Sequence, residues 1–214
     1  MKKLFNSLFI AFVAVVLSSC SGLLNGNPMD KADTYKKAID VIKEKFDAEN
    51  KKIYSVRFSE GEPLTNKMMY VDLFIVDSDN NLYSQAYYLD GRIGNKLNAT
   101  DGSFDLTYQT VKGIDLSEID LSSVDKYFAE AQKFVPEGHT YKSIGSYTIE
   151  EILPYKSNGP KNDGRNVGGQ DRIISILFTE DGNETETKGR EVTYLYFEGK
   201  VHVNPDGTMF VEEE

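Results

Sequence analysis

Two stretches decide the fold: Tyr87-Tyr88-Leu89-Asp90-Gly91-Arg92-Ile93 and Leu195-Tyr196-Phe197-Glu198-Gly199-Lys200-Val201. Each is an apolar strand end, then an acid, a glycine and a base, then an apolar residue. Glycine supplies the φ > 0 that tight turns need, so each stretch reads as a hairpin. A second pair follows in step, Asp101-Gly102-Ser103-Phe104 and Asp206-Gly207-Thr208-Met209. Positions 90 and 198 are 108 apart, and positions 101 and 206 are 105 apart. Such offsets suit one repeat whose loops differ in length.

An amphipathic helix is expected upstream of each stretch. From Thr34 to Ala48, residues Tyr35, Ala38, Ile39, Ile42 and Phe46 make an apolar stripe, with Asp33 or Thr34 as cap. From Ser123 to Val135 the stripe is Val124, Phe128, Ala131 and Val135, with Ser122 as cap and Pro136 as stop. Strands should follow each helix. Tyr54, Val56 and Phe58 alternate with polar residues, then come Tyr70 to Val76 and Leu82 to Leu89. The second set is Ser143 to Ile149, Ile173 to Phe178 and Val192 to Phe197. The expected fold is therefore α+β, in two similar units, each one helix packed on an antiparallel sheet of about four strands. The units span 33–115 and 116–214, and they should pack together or join edges. The polar, glycine-rich loop from Lys156 to Gln170 reads as an insertion.

The N-terminus carries a different message. Lys2 and Lys3 precede an apolar run from Leu4 to Leu17, too short for a membrane span and right for a signal peptide. Then comes Leu17-Ser18-Ser19-Cys20, a branched apolar residue, two small ones and the chain's one cysteine. Residues 1–22 resemble the signal and lipobox of bacterial lipoproteins. That resemblance implies removal of residues 1–19, two or three acyl chains on Cys20, and a membrane as the first partner. Residues 20–32 then form a flexible tether rich in Gly and Asn. Ser21 in place of Asp implies the outer membrane, and the acid-free run Ser21 to Asn27 favours its periplasmic face.

Composition narrows the partners. The formal net charge is −10, and loss of Lys2 and Lys3 takes it to −12. An acidic surface argues against nucleic acid and against lying flat on anionic lipid. With no second cysteine there is no disulfide, so 12 Phe, 13 Tyr and the aliphatics must build the core.

The search for catalytic motifs returns little. His139 sits in an expected turn, and His202, flanked by Val201 and Val203, should face solvent. Neither histidine has metal-ligand spacing. There is no Gly-x-Ser-x-Gly elbow and no phosphate-binding glycine loop. Asp77-Ser78-Asp79-Asn80-Asn81 opens like a calcium loop, but Leu82 and Tyr88 stand where Gly and Glu are needed, so it reads as a β-turn. Asn98-Ala99-Thr100 and Asn183-Glu184-Thr185 read as polar loops. No cofactor, no metal site and no enzyme is expected. The candidate binding surface is aromatic: Tyr83 and Tyr87 share a strand face, as do Tyr194 and Tyr196.

The layout resembles the tandem α+β modules of exported bacterial proteins, the PepSY-like and β-lactamase-inhibitor-protein types. That resemblance implies a protein-binding or inhibitory role. The expected function is a lipid-anchored, non-catalytic module that binds an envelope protein or glycan. The alternative is a carboxylate-dependent hydrolase of envelope glycans. Paired acids in a deep cleft would favour the hydrolase, and a flat aromatic sheet face would favour binding.

Overall fold

The computed structural model describes residues 12–15 by backbone alone, then 27–100, 102–156, 166–188 and 191–211. Among the described residues two helices, α1 (Ala32–Lys45) and α2 (Val124–Ala131), accompany ten strands. These are β1 (Phe12–Val15), β2 (Lys51–Glu60), β3 (Met68–Asp77), β4 (Leu82–Tyr88), β5 (Leu97–Asn98), β6 (His139–Glu151), β7 (Gln170–Glu180), β8 (Thr185–Lys188), β9 (Glu191–Val203) and β10 (Met209–Val211). Every strand pairing is antiparallel, and the spatial order is β1-β9-β7-β6-β2-β3-β4-β5, with β8 and β10 also on β9.

This corrects the expectation of two units, each with its helix on its own small sheet. Among the described residues strand makes up 45% and helix 15%, in one sheet curled as a half-barrel. The reason lies at the centre. β2 is paired on both edges, to β3 and to β6, so no sheet boundary falls between the halves. The core is shared too. Tyr35 of α1 meets Phe58 of β2 at 4.8 Å, Phe128 of α2 at 5.5 Å and Tyr147 of β6 at 5.7 Å between ring centres. Aromatic pairs at such spacings add to the burial of their area.

The helical stripes face this core. Tyr35, Ala38, Ile39 and Ile42 are buried with Val71, Leu73 and Ile75, and Val124, Phe128 and Ala131 with Ile174, Ile176 and Phe178. The expected caps do not form. The first amide of α1, on Ala32, donates instead to Asp125 Oδ1 at the start of α2, 2.7 Å away. An acid at a helix N-terminus is favourable by charge as well as by hydrogen bond. Neither helix has a side-chain cap on its own N-cap residue, Lys31 or Ser123.

Two further expectations fail for local reasons. A bulge in β2 between Ile53 and Ser55 turns Tyr54 to the opposite face from Val56 and Phe58. There Tyr54 joins a second cluster with Val76, Leu106, Val111 and Leu153. Bulges insert one residue and re-aim a side chain in this way. Glu198-Gly199-Lys200 is no turn. It lies inside β9, where Gly199 pairs with Ile176 of β7.

The N-terminal end of the fold is fastened to the β2–β3 hairpin. Met68 N donates to Asn27 O at 2.8 Å, and Met29 N to Asn66 O at 2.9 Å. Met29 is fully buried, and Tyr35 Oη donates to its carbonyl at 2.7 Å. Glu60 stiffens the hairpin by accepting from Leu64 N, Asn66 N and Ser143 Oγ. The lipobox Cys20 and most of the loop 156–170 lie outside the described residues. β1 falls within the segment read as a signal peptide, and it pairs with β9.

Candidate functional site

The tyrosines singled out from sequence do not form one surface. Tyr83 and Tyr87 do share a face of β4, but it is the core face, and they are 6% and 4% exposed. Phe46 packs edge-on to Tyr87 at 6.3 Å, and burial pushes that phenol up to about 12. Tyr194 and Tyr196, 42% and 8% exposed, lie on β9. Four strands, β3, β2, β6 and β7, separate them from β4.

His202 does not face solvent as expected. β10 folds back on β9 so that Phe210 sits opposite His202, and the two rings stack at 5.1 Å. His202 Nδ1 lies 3.2 Å from Asp171 Oδ2. On the next strand Glu150 stands opposite Asp171. Burial first, and then the Asp171 charge, pushes the Glu150 carboxyl up.

At that same end of the sheet lies a cleft of about 590 Å³. Its walls are held by backbone amides. Glu151 is buried and accepts from Lys112 N and Gly113 N, each at 2.8 Å, which docks the segment after residue 111. Gly113 has φ +97, a conformation that favours glycine. Ile114 N then donates to Ile53 O of β2 at 2.7 Å. A second wall is closed by Gly168 N to Ile152 O and Ile152 N to Gly169 O. The third is the β9–β10 turn, where Gly207 N donates to Asn204 O and Gly207 passes near the Tyr127 ring of α2.

Five carboxylates line this cleft: Asp115, Glu118, Asp120, Glu151 and Asp171. Most have structural work. Asp115 Oδ1 accepts from Ser117 N, and Asp120 Oδ1 from Ser122 N. The Ser122 hydrogen bonds hold the Asp120 carboxyl below the usual carboxylate range. Asp171 Oδ1 accepts from Arg172 N. Two groups have no partner among the described residues. The Arg172 guanidinium makes no ion pair or hydrogen bond. Tyr147, fully buried in the core, has an unpartnered hydroxyl.

Asp77 to Asn81 is the β3–β4 turn. Asp77 Oδ1 accepts from Asp79 N and Asn81 N, and Asn80 takes φ 63. Among the described residues no three His, Cys, Asp or Glu side chains group to hold a metal. No helix among them is long and apolar enough to cross a membrane.

Sequence reading missed the cleft. Its walls come from five separated segments, and no local pattern marks Arg172 within its strand. No protein-family model matches the chain, and no curated protein or solved structure matches it.

Proposed function

We propose that this is a lipid-anchored envelope protein whose cleft binds, without chemistry, a small group or chain end of an envelope polymer. The observation that carries the reading is the cleft itself and the employment of its acids. A volume of about 590 Å³ falls in the range of small-ligand sites, roughly 300–1,000 Å³. Glu151 spends both oxygens on the loop that forms one wall. A glycosidase needs an acid held protonated near neutral pH. The Asp120 carboxyl is pulled the other way by its hydrogen bonds from Ser122. Glu150, which is pushed up, is not in the lining.

The lipid anchor rests on Leu17-Ser18-Ser19-Cys20. Cys20→Ala should abolish lipid labelling and leave the signal in place, and an unmodified mature N-terminus in the wild type would defeat this part. For the cleft, the purified chain should melt higher in a digest of envelope polymer and release no new reducing or amino ends from it. Turnover of the digest would replace the binding reading with the hydrolase.

A further inference from the structure

The two edges of the sheet are covered in different ways. On the β4 edge the cover is the chain just downstream. Gly94 N donates to Ala86 O at 2.8 Å, Ala99 N to Leu82 O at 3.0 Å, and β5 pairs with Tyr83 and Ser84. The other edge belongs to β9. At Val201 that strand has Ile174 of β7 on one side and Val211 of β10 on the other. β1 also lies opposite β7 across β9, so β1 and β10 share the outer edge. β10 covers 201–203 and β1 covers 193–196. Among the described residues no strand pairs with that edge from 197 to 200. Leu195 N donates inward, to Glu184 O beside β8, at 3.0 Å. Amides alternate along a strand, so those of Tyr194 and Tyr196 point to the outer edge.

We propose that the outer edge of β9 from Val192 to Lys200 is a strand-addition site, which takes an extended, uncharged apolar segment of a partner protein antiparallel to Thr193–Tyr196. β1 shows what the edge accepts. Its residues Phe12-Val13-Ala14-Val15 carry no charge and pair in a register from Phe12 opposite Tyr196 to Val15 opposite Thr193. β9 offers a matching uncharged run, Val192 to Phe197, bounded by Glu191 and Glu198. Val192 and Tyr194 on this run are 44% and 42% exposed. A long apolar edge presents a row of free amides and carbonyls to any extended chain, and natural folds cover such edges. The proposal rests on the lipoprotein reading: cutting before Cys20 carries β1 away and opens residues 192–200. Backbone pairing then supplies the affinity. Alternate side chains of the added strand, lying on the same face as Val192 and Tyr194, supply the choice of partner.

The test is amide hydrogen exchange, read residue by residue, on the processed lipoprotein in detergent, after its intact mass has shown whether residues 1–19 are gone. The probe is a peptide of residues 10–17 with lysines added at each end for solubility. The control is the same peptide with alternate backbone nitrogens methylated. In the free chain the Tyr194 and Tyr196 amides should exchange about tenfold faster than that of Leu195, which is bonded to Glu184. The probe should slow both about tenfold, and the methylated control should not. Tyr194→Pro removes one outward amide and should abolish protection by the probe while Leu195 stays slow, since edge strands tolerate proline. Should that chain fail to fold, Tyr194→Lys places a charge on the edge and should weaken the probe about tenfold. Outward amides already protected in the free monomer, exchange indifferent to the probe, or equal protection by the methylated control overturns the proposal and leaves the anchor standing. Protection in the free chain that is lost on dilution of a dimer names a second copy as the occupant and overturns a partner's strand. An intact mass that still holds residues 1–19 leaves β1 on its edge and overturns the anchor and this proposal together, while binding in the cleft stands.

Discussion

Asp90-Gly91-Arg92 and Glu198-Gly199-Lys200 look alike in sequence and do different work. Gly91 takes φ +87 in a turn, where Gly91 N donates to Tyr88 O and an added Cβ would meet nothing within 4 Å. Gly199 lies inside β9 and has no unusual φ. A Cβ there would stand 3.3 Å from Phe178 Cε1 and 3.4 Å from Ile176 Cγ1. The first glycine is needed for its backbone, the second for the absence of a side chain beside two buried neighbours. A matching triplet is thus no proof of a matching corner.

Each glycine can be tested against the other. The largest effect should come from Gly199→Val, which overpacks the core side of β7 and costs about 1–3 kcal/mol. Adding Ile176→Val should recover part of that loss, since the two sites share one space. Urea unfolding measures both, and a Gly199→Val chain as stable as the wild type would undo the distinction. Gly91→Ala should cost less, about 1–2 kcal/mol, because the penalty is only a left-handed backbone. Gly91→Asn should cost less again, asparagine tolerating that region; equal losses for Ala and Asn would point to something other than φ. The smallest effect belongs to the turn's ion pair, Arg92 Nε to Asp90 Oδ2 at 2.8 Å, which is exposed. Arg92→Ala should lower the unfolding midpoint at pH 7 only slightly, as exposed ion pairs contribute little. Backbone and side-chain bonds from Arg92 lower the folded Asp90 carboxyl. Its contribution is therefore present above the ordinary carboxylate pKa and lost as pH falls through the lower folded value. Removing Arg92 should therefore show its small loss above the ordinary carboxylate pKa and none below the lower folded value.

Local patterns were legible in the sequence where local physics decides them. The stripe through Tyr35, Ala38, Ile39 and Ile42 put α1 within a few residues of its place, and Tyr83 and Tyr87 were rightly set on one face of β4. What that face meets is not local. Period-two spacing tells which residues point together and not whether they point to water or core. The pairing of β2 with β6 joins Ser59 to Ser146, residues far apart in the chain, and no motif announces it. The cap on α1 comes from Asp125, 93 residues away, which is why Asp33 and Thr34 were poor guides. The site follows the same rule. Arg172 looks like an ordinary strand residue, and only the β6–β7 register brings it, opposite Ile149, to the cleft.

The clamp of Asn27 and Met29 on the β2–β3 hairpin sets a standoff. With lipid on Cys20, as proposed, Asn27 lies seven positions after the anchor, a leash of at most about 25 Å. The clamp grips the Glu60 end of β2, whereas the cleft opens beside Ile53 at the other end. Seven strand residues between them span roughly 23 Å. With the anchor at Cys20, lipid and cleft would be joined to opposite ends of β2.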